Sequence, residues 1–175
     1  MSIINNIKRT FLLGCVAFSS LTASAQIFKH DRLFSFEEKQ VPQSITTQNS
    51  KAETSKLHFK DGKQSLCWAC EANVTLRLKK ELHFEKKDPT GVDTYLSSFS
   101  MWVYNPKATD NQANFVFLKD GKKCSDFAMT LNFTGWRAVY VSYERDMNGH
   151  PEEGMNEIKI IAPEEAGELY FDLMV

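Results

Sequence analysis

Net charge is almost absent: 21 Lys and Arg stand against 22 Asp and Glu, a formal −1. That balance argues against a nucleic-acid binder working by overall positive charge. Beyond residue 25 there is no amphipathic helical periodicity, and no apolar run approaches the roughly 20 residues a bilayer-spanning helix needs. Cys67-Trp68-Ala69-Cys70 has redox spacing, yet no βαβ pattern precedes it and no further Cys or His stands at zinc spacing. The serines and aspartates form no nucleophile elbow. His30, His58, His83 and His150 are scattered, none beside an obvious partner, which leaves no general base in view. Nor is there a compositional sign of disorder.

What the chain does have is 13 phenylalanines in 175 residues, enough to fill the core of one domain. Lys8 and Arg9, an apolar run over 11–18 and Ala23-Ser24-Ala25 read as a secretory signal peptide ending before Gln26. This predicts a signal at 1–25, a secreted or periplasmic domain at 26–175, and no membrane attachment once the signal is removed. A rival reading takes Leu12-Leu13-Gly14-Cys15 as a lipoprotein cleavage site, with a very short apolar stretch before it. Export permits disulfides, but the mature chain keeps an odd three cysteines, Cys67, Cys70 and Cys124. They read as small buried thiols, or as one cross-strand bridge to Cys124.

Period-two alternation dominates the mature chain. Trp136, Ala138, Tyr140 and Ser142 alternate with Arg137, Val139, Val141 and Tyr143, and just upstream Phe127, Met129, Leu131 and Phe133 alternate with Asp126, Ala128, Thr130 and Asn132. These are two strands meeting at the Thr134-Gly135 corner, with Trp136 expected in the core. Phe99, Met101 and Val103 form one face of a strand whose other face carries Trp102 and Tyr104. Val74, Leu76 and Leu78 alternate with Thr75, Arg77 and Lys79, a half-buried strand with a basic outer face. Further strands are expected over 27–37, 44–48, 56–59, 64–70, 113–118, 157–161 and 168–175, with 49–55 a polar connection. Lys60-Asp61-Gly62-Lys63 and Lys119-Asp120-Gly121-Lys122 supply turns through Asp-Gly, and Asp88-Pro89-Thr90-Gly91 another break. About ten short strands predict an all-β fold, a two-sheet antiparallel β-sandwich of the jelly-roll kind.

Four ordered stretches carry a family likeness: Gly62-Lys63-Gln64-Ser65-Leu66 followed by Trp68; Phe99-Ser100-Met101-Trp102-Val103-Tyr104-Asn105; Leu131-Asn132-Phe133-Thr134-Gly135-Trp136-Arg137-Ala138-Val139; and Gly167-Glu168-Leu169-Tyr170-Phe171-Asp172. They resemble the amino-terminal domain of chondroitin sulfate ABC lyases. The resemblance implies a galactose-binding or carbohydrate-binding-module-like sandwich that precedes a helical catalytic toroid. The toroid's catalytic His, Tyr, Arg and Glu have no counterpart in these residues. The expected role is a non-catalytic accessory domain that binds or orients a glycosaminoglycan and packs on a lyase catalytic domain. The alternatives are a purely structural or interaction sandwich, and a fragment of a full chondroitin sulfate ABC lyase.

The resemblance also implies a structural calcium, held by Glu37, by carbonyls of the 60–65 loop and by Asp172; calcium suits carboxylates mixed with carbonyls. The other reading of Glu37 and Asp172 is solvated edge charge. For sugar, Trp102 and Tyr104 are the candidate stacking rings, with a loop or a neighbouring domain over them as the alternative. Arg77 and Lys79 belong to a basic middle region, with Lys56, Lys60, Lys63, Lys80, Lys86 and Lys87, expected to draw a polyanion, whereas residues 144–172 are strongly acidic. An ordinary solvated face is the alternative there.

Overall fold

Alternation sorts the chain into two layers. The computed structural model describes residues 32–86, 97–165 and 167–175, so the expected signal segment and the Asp88-to-Gly91 turn lie outside the described residues. The strands are β1 (Ile45–Gln48), β2 (Lys51–Ser55), β3 (Ser65–Cys70), β4 (Thr75–Lys79), β5 (Ser98–Asn105), β6 (Gln112–Lys119), β7 (Lys122–Thr130), β8 (Gly135–Ser142), β9 (Asn148–Gly149), β10 (Glu157–Ile161) and β11 (Gly167–Asp172). One sheet has the order β1-β4-β10-β6-β7-β9, the other β2-β3-β11-β5-β8. Every pairing is antiparallel. There is no helix among the described residues. The all-β antiparallel sandwich is therefore as the alternation predicts.

The two sheets close on a single apolar core. Phe99, Met101 and Val103 of β5, with Phe171 of the adjacent β11, face Phe115 and Phe117 of β6, Phe127 of β7, and Ile158 and Ile160 of β10, all buried. Phe127 stacks on Phe115 at 4.7 Å with planes 2° apart, and Phe99 meets Phe117 edge-on at 5.2 Å. Packing of this kind adds about 1 kcal/mol per aromatic pair to the area term. The core excludes water and leaves both outer faces for function.

Turn chemistry follows the sequence closely. Asp120 and Gly121 both take positive φ, 50° and 80°, the pair a tight β6–β7 hairpin requires. At φ 93°, Gly135 turns the chain from the six-stranded layer into β8 at the edge of the other. Asn105 seals this corner from inside, its buried Nδ2 donating to the carbonyls of Leu131 and Phe133 at 2.8 and 2.9 Å.

Four expectations meet a different outcome in these strands and cysteines. The described part of the 27–37 segment is not a strand: Phe36 sits at φ 58°, which breaks extension, and only Phe34 bridges to Met174. The polar stretch 51–55 is β2, an edge strand whose exposed Lys51 and Glu53 suit an edge. Conversely, residues 56–59 form no strand but a strap leaving β2. Cys67, Cys70 and Cys124 are free and buried, so the cross-strand bridge is not formed. Burial pushes all three thiols up, Cys70 to about 11, which keeps them as inert thiols.

Candidate functional site

The outer face of the five-stranded sheet is aromatic. Register places Tyr104 beside Trp136 on β8 and Tyr170 on β11, and Trp102 beside Ala138 and Asp172. Trp136 is half-buried on this face, not in the core: three positions from the buried Val139, it falls on the opposite side of β8. Tyr104 meets Trp136 at 5.4 Å and 64°, and Tyr170 at 5.7 Å and 90°. Tyr170 donates its hydroxyl to Glu168 at 2.9 Å.

The strap formed by residues 56–60 lies across these rings. His58 stacks on Tyr104 at 3.8 Å with planes 15° apart and meets Tyr170 edge-on at 4.8 Å. Its carbonyl accepts from Ser65 Oγ. Lys60 Nζ sits 4.1 Å from the centre of the Trp102 ring, a cation–π contact. Trp102 and Tyr104 are thus brought together, and each already has a partner on a ring face. Leu57, Phe59 and Tyr140 are the large hydrophobic side chains left exposed among the described residues, at 77%, 44% and 69%. Two are on the strap, and Tyr140 is on the same outer row of β8 as Trp136.

Two carboxylates hold the loop that follows the strap. Asp172, fully buried, accepts the backbone N–H of Lys60 at 2.6 Å and of Asp61 at 3.0 Å on one oxygen, and that of Leu173 at 2.7 Å on the other. Burial raises its pKa, and the three N–H groups oppose the rise. Glu37 Oε1 accepts from Lys63 N at 3.0 Å and Gln64 N at 3.2 Å. Gly62, at φ 68°, passes so close that a Cβ there would lie 2.3 Å from Glu37 Oε1.

Arg77 and Lys79 lie elsewhere. Leu76 and Leu78 are fully buried, so the alternate residues Thr75, Arg77 and Lys79 point out from the six-stranded sheet, on the opposite side of the sandwich from Trp102 and Tyr104. The four candidate sugar-binding residues therefore divide between two faces. One row crosses all six strands: Thr46, Arg77, Lys159, Val116, Asp126 and Asn148. The next holds Lys79 opposite Glu157. Arg77 Nη1 donates to the buried Glu157 carboxylate at 2.8 Å. The residues that point outward from these strands include no aromatic ring.

The sequence reading missed the strap and Lys159. Lys159 alternates with Ile158 and Ile160, which was signal enough, but it sits within a stretch whose summed charge is acidic and was read as such.

Among known families, the model for "Lyase, N terminal" matches residues 30–175. The chain belongs to that family. This lyase N-terminal domain is 52% identical over 161 residues to a chondroitin sulfate ABC exolyase of Bacteroides thetaiotaomicron, covering 92% of this chain and 16% of the relative. It is 34% identical over 155 residues to the chondroitin sulfate ABC exolyase of Proteus vulgaris, covering 88% and 15%. The chain thus spans about one sixth of the length of these curated relatives. Among solved structures, the CBM22-1 xylan-binding domain of Paenibacillus barcinonensis Xyn10C superposes with TM-score 0.54 at 18% identity, covering 80% of this chain and 88% of that one. The family 11 carbohydrate-binding module of Clostridium thermocellum, solved with a mixed-linked tetrasaccharide, gives 0.53 at 12%, covering 82% and 92%. At these identities the likeness shows the fold, a β-sandwich shared with carbohydrate-binding modules.

Within this lyase N-terminal domain, the Glu37 and Asp172 pair meets part of what a calcium needs. Asp172 is a buried carboxylate with no cationic side chain paired to it among the described residues, and Glu37 Oε2 has no protein hydrogen-bond partner there. A hard cation suits such a set, but no three His, Cys, Asp or Glu side chains converge among the described residues. The remaining ligands would have to be loop carbonyls.

Proposed function

We propose that this chain is the non-catalytic accessory domain of a glycosaminoglycan lyase. It binds or orients polysaccharide on the outer face of the six-stranded sheet and packs by its strap face against a catalytic domain. One observation supports this above the others: the exposed Leu57, Phe59 and Tyr140 belong to one outer face, whereas Arg77, Lys79 and Lys159 belong to the other. An apolar face covered by a partner and a basic face open to a polyanion are different tasks, and the fold keeps them apart. The relatives' names supply the substrate class, chondroitin sulfate.

In this reading Trp102 and Tyr104 serve the packing side, because Lys60 and His58 already occupy their ring faces. Glu37, Asp172 and loop carbonyls hold a calcium that neutralises the buried carboxylate and fixes the strap's root. Export to the periplasm or beyond, with removal of residues 1–25, completes the reading.

Isothermal titration of the chain with chondroitin sulfate at low and high salt tests it. The expected result is weak binding that fades as salt rises. A folded chain with no heat of binding at low salt would overturn the polysaccharide role and leave the packing role alone.

A further inference from the structure

We infer that Arg77 and Lys159 together form an oxyanion subsite for the sulfate ester of a glycan, an inference that rests on the polysaccharide role just proposed. The two are direct cross-strand partners of β4 and β10. Like charges directly opposite destabilise a sheet, since their side chains start only about 5 Å apart at Cβ. Nothing in the described structure relieves the pair fully. Glu157 takes one donor of Arg77 and is itself buried, so it holds the guanidinium in place rather than covering it. Neither Lys159 nor Lys79 has an ion-pair partner among the described residues. On β4 and β10 three cations thus face one anion, and Asp126, further along the Arg77 row, is already paired with Lys123.

The chemistry narrows the ligand. A guanidinium has five N–H donors in a planar fork, and the Glu157 contact uses Nη1, so the rest suits a tetrahedral or planar oxyanion approaching along the sheet normal. Lys159 adds a point charge from the neighbouring strand. Thr46, opposite Arg77, and Thr75, next along β4, contribute hydroxyls that suit a hydroxylated chain. Because no ring on this face stacks on sugar, recognition here is by charge. The bound group is an oxyanion, from a sulfate ester or from a uronate carboxylate, and the sulfate is assigned because its three oxygens reach both the Arg77 fork and the Lys159 ammonium, where a carboxylate offers two.

The test uses the whole chain with chondroitin sulfate, chemically desulfated chondroitin, and hyaluronan. Lys159→Gln and Arg77→Lys are the probes, and Trp102→Ala on the far face is the control, each first checked for an unchanged denaturation midpoint. Arg77→Lys keeps the charge beside Glu157 and removes only the fork. The expected result is binding of chondroitin sulfate at least about fivefold tighter than desulfated chondroitin, with Lys159→Gln and Arg77→Lys each erasing most of that preference. Trp102→Ala leaves it intact. Equal binding of sulfated and desulfated chains, or of hyaluronan, would reassign the subsite to uronate and overturn the sulfate assignment. Binding weakened by Trp102→Ala and untouched at Lys159 would overturn the subsite while the polysaccharide role stood. No binding of any glycan would overturn both.

Discussion

His58 lies flat on Tyr104, with ring centroids 3.8 Å apart and planes within 15° of parallel. Through this stack a strap that belongs to neither sheet is fixed to the middle of one. Replacing His58 with Ala uncovers Tyr104 and frees the Tyr170 edge as well. The expected loss is about 1–2 kcal/mol in urea denaturation, together with a change in Trp136 fluorescence, since Tyr104 also touches that indole. An unchanged midpoint would mean that the strap is not held by this stack.

Gly62 is a second fixed point. Its positive φ disfavours a side chain, and a Cβ would collide with the Glu37 carboxylate that accepts from Lys63 and Gln64. Gly62→Ala is expected to cost about 1–3 kcal/mol. Because Glu37 can swing away, the double variant Gly62→Ala with Glu37→Gln should show non-additive destabilisation in a double-mutant cycle.

Calcium should matter at Asp172. Millimolar calcium is expected to raise the Tm of the chain by several degrees, following RT ln(1 + [L]/Kd), about 2.7 kcal/mol at a hundredfold excess over Kd. Asp172→Asn should abolish the rise. A Tm indifferent to both calcium and chelator would place Glu37 and Asp172 as caps of backbone N–H groups alone.

Two aspartates should pull the pH profile in opposite directions when calcium is absent. Asp146, paired with Arg145 at 2.8 Å, has its pKa lowered to about 2 by that partner and by the Ser142 N–H. Its contribution is present above pH 3.8 and is lost as pH falls towards 2, so Asp146→Asn should flatten that limb. Asp172 is raised by burial, so its proton is held more tightly in the folded state. Relative to Asp172→Asn, the wild type should therefore gain stability as pH falls through the folded pKa towards 3.8, and hold that gain below it. Chemical denaturation midpoints between pH 2 and 7 read both effects.

Much of the layer structure was legible in the sequence because period-two alternation and positive-φ turn residues are local. The alternation of Phe99, Met101 and Val103 against Trp102 and Tyr104 shows the faces of β5 correctly, and Asp120-Gly121 marks the β6–β7 hairpin. What alternation does not carry is which sheet a strand joins. Arg77 and Trp102 read as outward residues in the same way, yet their sheets place them on opposite sides. Strand 51–55 was missed because an edge strand tolerates Lys, Glu, Thr and Ser, which read as loop. Trp136 was misplaced in the core because its bulk suggests burial, whereas Tyr104 supplies that burial on the outside. The strap was invisible because His58 finds Tyr104 and Tyr170 across 46 and 112 positions of chain.

The last residues are woven in as firmly as any. β11 lies in the middle of its sheet between β3 and β5, Met174 O accepts from Leu33 and Phe34, and Val175 exchanges both backbone hydrogen bonds with Ser100 at 2.9 Å. Tension applied at Val175 therefore loads the β11 ladders in shear, many bonds at once, instead of peeling an edge strand one bond at a time. Loosening β11 would disturb two ladders at once, and with them the loop at the strap's end that Asp172 holds.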